Sequence, residues 1–310
     1  LPVRQQIVVF SWILLYFVFL ISETKLEKIP VIQADYLLKV CELKIHMIMN
    51  KRVVIMGATS GVGKMLAMSF IRDGFVVGAA GRRAELLEEL KAQASASANA
   101  NASASASASA CACAGCRLFT KVIDINEDTA VGNLKDLISE MGGMDIYCHV
   151  SGIGFYNPDL DEGRELSTVQ TNCLGFSRMV GEAFRYFAMK HKGQIAAVSS
   201  IAGTKGIGAA AAYSASKRFQ SNYLQSLSQL SKMRGLGICI TDIRPGFMQT
   251  ALLKDDKYPM TMKPEYAVPL IYKAIRSRKR ARIIDWRYSV LVFFWRIMPR
   301  GFWERLKIKI

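Results

Sequence analysis

From Lys51 to about residue 275 the chain alternates short apolar runs with segments of helical spacing, and that alternation leaves few folds open. Arg52–Met56, Phe75–Ala80, Phe119–Ile123, Asp145–Val150, Gln194–Ser199 and Gly237–Ile243 read as strands. Their near-continuous apolar character suits strands covered on both faces. Between them, Gly63–Asp73, Ala84–Lys91, Thr129–Met141, Asn172–His191 and Tyr213–Arg234 carry apolar residues at helical intervals. The pattern predicts an α/β fold, a doubly wound parallel sheet with helices on both faces, in a single domain over residues 47–275.

Three segments depart from this rhythm. Ile7 to Ile21 is a nearly unbroken apolar run of 15 residues. It is shorter than the roughly 20 residues that cross a bilayer, although Val3 to Ser22 reaches the lower limit. Residues 1–46 are therefore read either as a membrane anchor or as a non-native start, translation beginning near Met47 or Met49. Residues 94–114 are a low-complexity Ala/Ser/Asn/Cys insert, expected to be a solvated loop. Cys111, Cys113 and Cys116 lack a fourth ligand nearby and read as repeat drift, not a metal site. Residues 271–310 hold 12 Lys and Arg against two acids, a surplus of +10 within a chain total of +16.

In that last segment the cations are interleaved with Trp286, Phe293, Phe294, Trp295, Phe302 and Trp303. Such a mixture suits a lipid headgroup boundary better than a nucleic acid, and docking on the protein's own core is an equal alternative. The segment 276–310 is thus read as a basic, aromatic tail with peripheral membrane contact as one role. No nucleic-acid module is recognisable. Seven cysteines, an odd number in 310 residues, do not form a secreted disulfide framework, so a cytoplasmic, membrane-associated location is expected.

Chemistry concentrates at two places. The turn after the first strand is Gly57-Ala-Thr59-Ser60-Gly61-Val62-Gly63. Its glycines let the backbone approach a pyrophosphate at a helix N-terminus. A Walker A loop is ruled out, because Ala58 and Met65 occupy the places where that motif needs Gly and Ser/Thr. Far along the chain, Tyr213 and Lys217 stand at i and i+4 on one helical face. A neighbouring ammonium is expected to lower the phenol pKa toward a range useful for acid–base work. Ser200 lies 13 residues earlier, at a strand end.

Together these residues resemble the short-chain dehydrogenase/reductase family over roughly residues 51–275. The resemblance rests on Gly57, Gly61 and Gly63, Asp124, Ser151-Gly152, Asn172, Ser200, Tyr213, Lys217, and Pro245-Gly246 followed by Thr250. It implies a Rossmann-like fold in which Tyr213 is the general acid/base and Ser200 polarises the substrate carbonyl. Lys217 would also hold the nicotinamide ribose, and Asn172 would anchor a water chain leading to Lys217. Asp124 and Ile125 would contact the adenine, while Ser151, Gly152, Pro245, Gly246, Phe247 and Thr250 would complete the cofactor site. Family members are usually homodimers or homotetramers. Met56 and His149-Val150 depart from the family's pattern, which puts local bracing of the sheet in doubt more than catalysis.

The cofactor choice follows from charge. The second strand ends in Ala80-Gly81-Arg82-Arg83, with no acid before Glu85 to hold a free ribose hydroxyl. Arg82 and Arg83 instead suit a 2′-phosphate, so NADP(H) is expected. Phe247, Met248, Leu252, Leu253, Tyr258, Met260 and Met262 form an apolar lid that suits a hydrophobic ketone, such as a long-chain 3-keto lipid or a steroid. The competing reading is a catalytically idle dinucleotide-binding sensor or membrane scaffold. His46, His149 and His191 accompany no motif Ser or Cys, so a hydrolase triad is not supported. His149 is expected to be a hydrogen-bonded core residue, and Cys148, Cys173 and Cys239 small core hydrophobes.

Overall fold

Seven parallel strands form one sheet in the order β3-β2-β1-β4-β5-β6-β7. They are β1 (Arg52–Met56), β2 (Val76–Gly81), β3 (Leu118–Val122), β4 (Ile146–His149), β5 (Lys192–Val198), β6 (Gly237–Arg244) and β7 (Ala281–Ile283). The computed structural model describes residues 51–103, 117–249 and 260–306. The expectations for residues 1–46, Cys111, Cys113, Cys116, Thr250, Leu252, Leu253 and Tyr258 lie outside the described residues. The sheet is a Rossmann-like, doubly wound one. Its strand order reverses between β1 and β4, the place where such sheets open a ligand crevice.

The helices are α1 (Gly61–Arg72), α2 (Ala84–Ser103), α3 (Ala130–Glu140), α4 (Glu162–Val169), α5 (Phe176–Met189), α6 (Ala211–Met233), α7 (Pro264–Arg276), α8 (Trp286–Ile297) and the four-residue α9 (Arg300–Trp303). β1 shows why helices must cover both faces. Val53 and Ile55 point into a core with Leu66 and Phe70 of α1 and Ile271 of α7. Val54 and Met56 point the other way, toward Leu134 of α3 and Phe176 and Val180 of α5. Alternate side chains of one strand thus feed two cores.

Two features differ from the sequence expectation. The insert does not begin as a loop, because α2 continues through Ser103. Alanine has the highest helix propensity, so an Ala-rich tract prolongs a helix already anchored by Leu87, Leu90 and Ala94. The sheet also continues past residue 275, through β7, which pairs with β6 at Asp242, Ile243 and Arg244. The following helix α8 buries Tyr288 and Val292 in the first core. Among the described residues no helix is long and apolar enough to cross a membrane.

Candidate active site

The crevice lies over the C-terminal ends of β1, β4 and β5 and encloses about 380 Å³. Its floor is the turn between β1 and α1. Gly57 sits at φ +95°, and a Cβ there would lie 2.7 Å from the Ser151 amide nitrogen. A Cβ on Gly63 would lie 2.0 Å from the Gly57 carbonyl oxygen, so α1 packs directly on the turn. The turn is tied to the sheet by Gly57 and Ala58, whose amides donate to the Ala80 carbonyl at 2.8 and 3.0 Å. Ser60 precedes α1 without a side-chain cap, and no acid occupies the first helical turn. The amides at that helix start therefore face the crevice uncompensated, as an anionic group requires.

Thr59, Arg82, Arg83, Asp124, Ile125, Ser151, Gly152, Pro245, Gly246 and Phe247 all line the same space, as do Ser60, Gly61 and Val62. Arg83 donates to the hydroxyls of Thr59 (2.8 Å) and Ser60 (2.7 Å). Arg82 lies 3.8 Å from Asp124. Two guanidinium groups thus flank the phosphate-sized turn at the edge of β2. The glycine cradle and the open helix start fit the pyrophosphate of a dinucleotide cofactor.

Across the crevice stand Ser200, Tyr213 and Lys217. Ser200 is extended at the end of β5, and its hydroxyl accepts a hydrogen bond from the Ala202 amide at 3.1 Å. Tyr213 belongs to the first turn of α6 and keeps part of its surface open to the crevice. A Cβ on Gly154 would fall 2.4 Å from the Tyr213 ring, so the backbone after β4 lies flat against the phenol.

The expected lowering of the phenol pKa is not what the free protein has. Burial pushes Tyr213 upward, and only the nearby Ser200 hydroxyl pulls it down. The reason is where the ammonium goes. Lys217 Nζ sits over the face of the ring, 5.8 Å from its centroid. It donates to the Val198 carbonyl (3.1 Å) and to Gln220 Oε1 (3.0 Å). Burial brings Lys217 down to about 8, with Asp242 and Cys173 opposing the shift. Burial and the Lys217 charge together lower His149 to about 3, so it is an uncharged core residue, with Nδ1 3.0 Å from the Tyr147 hydroxyl.

Asn172 lies in a π-helical turn, Gln170–Gly175, between α4 and α5. Its side chain clamps the loop following β4, accepting from the Ile153 amide (2.9 Å) and donating to the Ile153 carbonyl (2.7 Å) and Ser216 Oγ (3.0 Å). Its backbone carbonyl accepts from Gln220 Nε2 at 3.0 Å. The connection from Asn172 to Lys217 therefore runs through a buried glutamine amide.

Sequence reasoning overlooked Gln220, Gly154, Asn126 and Trp295. Asn126 lines the crevice, and its Oδ1 is buried with no hydrogen-bond partner. Trp295, 78 residues beyond Lys217, reaches the crevice from α8. Of these, Gln220 alone carried a signal, standing one helical turn beyond Lys217. Within the expected lid, Phe247 and Met248 line the crevice, whereas Met262 is a core residue. Cys148 is buried, and Cys173 and Cys239 are partly exposed.

A profile of the short chain dehydrogenases matches residues 51–259. An uncharacterised oxidoreductase of Myxococcus xanthus is 28% identical over 259 residues, covering 82% of this chain and 95% of the relative. The NADP-dependent 3-hydroxy acid dehydrogenase of Escherichia coli K12 is 25% identical over 63% of this chain and 72% of its own. Among solved structures, an alcohol dehydrogenase of the archaeon Thermococcus sibiricus, complexed with 5-hydroxy-NADP, superposes with a TM-score of 0.61. It is 18% identical and covers 76% of this chain and 96% of its own. A 7β-hydroxysteroid dehydrogenase gives 0.63 at 20% identity, over 80% of this chain and 92% of its own.

Proposed function

The chain belongs to the short-chain dehydrogenases, and we propose that it uses NADPH to reduce an apolar ketone to a secondary alcohol. The observation that carries this reading is the presence of Ser200, Tyr213 and Lys217 on one wall of the crevice whose floor is the glycine turn. When bound, the nicotinamide supplies a hydride to the carbonyl carbon.

The chain's own groups handle the oxygen. The Ser200 hydroxyl holds the carbonyl oxygen and stabilises the charge that develops on it. Tyr213 gives that oxygen its proton. A phenol whose pKa burial raises is fully protonated at neutral pH, which suits donation and hence the reductive direction. Lys217 keeps a positive charge below the ring and favours the phenolate left behind. Gln220, with the Asn172 carbonyl behind it, fixes the ammonium in place.

Lys217 titrates near 8 and loses its charge above that value. The efficiency of reduction, kcat/KM, is expected to be level through neutral pH and to fall as pH rises through about 8. Values of kcat/KM from ketone titrations at each pH check this, and a profile level to pH 10 would exclude a charged Lys217 from the chemistry.

Arg82 and Arg83 support NADPH over NADH. Replacing both by alanine is expected to lower kcat/KM for NADPH about 100-fold, the loss of roughly one charge-assisted hydrogen bond or two. The NADH value should change far less, and parallel steady-state kinetics with the two cofactors would measure it. The apolar lining by Phe247, Met248, Ile207 and Trp295 supports a hydrophobic substrate. The test of the function is NADPH oxidation against ketones of increasing chain length. Efficiency should climb with apolar length, and a preference for short polar ketones would contradict the reading.

A further inference from the structure

Helix α8 has two apolar faces, and among the described residues only one is covered. Inward, Tyr288 donates to the Met260 carbonyl (2.8 Å) and accepts from the Phe247 amide (3.1 Å), tying α8 to the crevice rim. Trp295 meets Trp303 edge-on at 5.3 Å, and the Trp303 indole donates to the Gly206 carbonyl at 2.7 Å. Outward, Trp286, Val290, Phe293 and Ile297 follow one another at intervals of four, three and four residues. That spacing puts them on one helical stripe. They are 73%, 47%, 60% and 62% exposed, and Phe302 of α9 extends the patch at 56%.

We propose that this stripe seats the molecule on an anionic bilayer, with α8 lying in the headgroup boundary and the crevice mouth beside Trp295 turned toward the lipid. Three observations favour lipid over other occupants. The stripe belongs to a segment, residues 271–310, with a +10 surplus, and its arginines Arg282, Arg296 and Arg305 are exposed, which complements acidic headgroups. The same surplus opposes pairing with a second copy, since a two-fold interface over the stripe would bring two such segments face to face. Finally, α8 has 12 residues, about 18 Å at 1.5 Å per residue, too short to span and suited to lie flat.

The proposal deepens the apolar-ketone reading but does not need catalysis to be tested. Full-length protein is mixed with vesicles of phosphatidylcholine alone or with one fifth phosphatidylserine, and amide exchange is followed across residues 286–306. Phosphatidylserine vesicles should slow exchange there, more at low salt than at high. The variant Trp286→Ser/Phe293→Ser/Ile297→Ser alters exposed positions only. It should lose that protection and weaken vesicle binding at least about 10-fold, with NADPH affinity and reduction of a small water-soluble ketone unchanged. A ketone dissolved in the bilayer should show a raised KM with this variant alone.

Vesicle binding carried wholly by residues 1–46, with α8 exchange unaltered, would overturn the proposal. So would concentration-dependent protection of α8 without lipid, which assigns the stripe to a second copy. Protection by lipid with no turnover of any ketone would leave the proposal standing and remove the ketone reading instead.

Discussion

Replacing Tyr213 by phenylalanine is expected to lower kcat for ketone reduction about 10³–10⁴-fold, the range a positioned general acid supplies. The ring would stay where it is, held against Gly154 and over Lys217. Only the hydroxyl is lost, so the binding floor, on the opposite wall of the crevice, is untouched. NADPH affinity, followed by the change in nicotinamide fluorescence, should therefore stay within about threefold of the parent, a shift of at most about 0.7 kcal/mol. A variant that retains a tenth of the activity would assign the proton to another group. A variant that loses cofactor binding as well would mean that the phenol shapes the pocket, so the loss of turnover would not measure proton transfer.

The second large effect concerns the floor. An added methyl on Gly63 would meet the Gly57 carbonyl oxygen at 2.0 Å and its carbon at 2.8 Å, both backbone atoms of a turn already at φ +95°. Neither can move without pulling away from the Ala80 carbonyl that holds the turn to β2. Gly63→Ala is expected to cost about 3 kcal/mol, the upper range for overpacking. For a domain of this size that lowers Tm by roughly 6–12 °C. Displacing α1 from the turn should weaken NADPH binding by more than about 100-fold. Gly132 in α3 provides the control, because a Cβ there meets nothing within 4 Å. Gly132→Ala should raise stability by about 1 kcal/mol and leave binding unchanged. Calorimetry and titration of both variants separate a steric clash from a general effect of removing glycine.

The fold was largely legible because it is written in local periodicity. Strands such as Val53–Met56 are apolar throughout since each face meets a different core. The glycine turn and the Tyr213–Lys217 pair stood out for a similar reason, being short local motifs, and the structure brings both to one crevice. What stayed hidden depends on long-range packing. Nothing near Trp295 in sequence says that it reaches a crevice built by β1 and β5. β7 has three residues, too few for a periodic signal, and is a strand only because β6 offers an open edge.

The direction of the Tyr213 shift illustrates the same limit. Spacing on a helix places Lys217 next to the phenol, and pairwise electrostatics then predicts a lowered pKa. Burial reverses the sign, and the ammonium spends its hydrogen bonds on Val198 and Gln220 instead of on the phenol oxygen. The glutamine was visible one helical turn away, but its role needs the Asn172 carbonyl, 48 residues distant in sequence. The Ala/Ser tract shows the opposite error. Low complexity suggested a loop, whereas alanine's helix propensity carries α2 through Ser103.

Transfer of deuterium from C4-deuterated NADPH to an apolar ketone tests the account most directly, since it asks whether the crevice brings nicotinamide, carbonyl and Tyr213 together. Mass spectrometry of the alcohol should find the label on the carbinol carbon, from one face of the nicotinamide only, and none of it with Tyr213→Phe over the same time. Alcohol that takes label from neither the 4R- nor the 4S-deuterated cofactor, or that is labelled equally by the Tyr213→Phe variant, would contradict it.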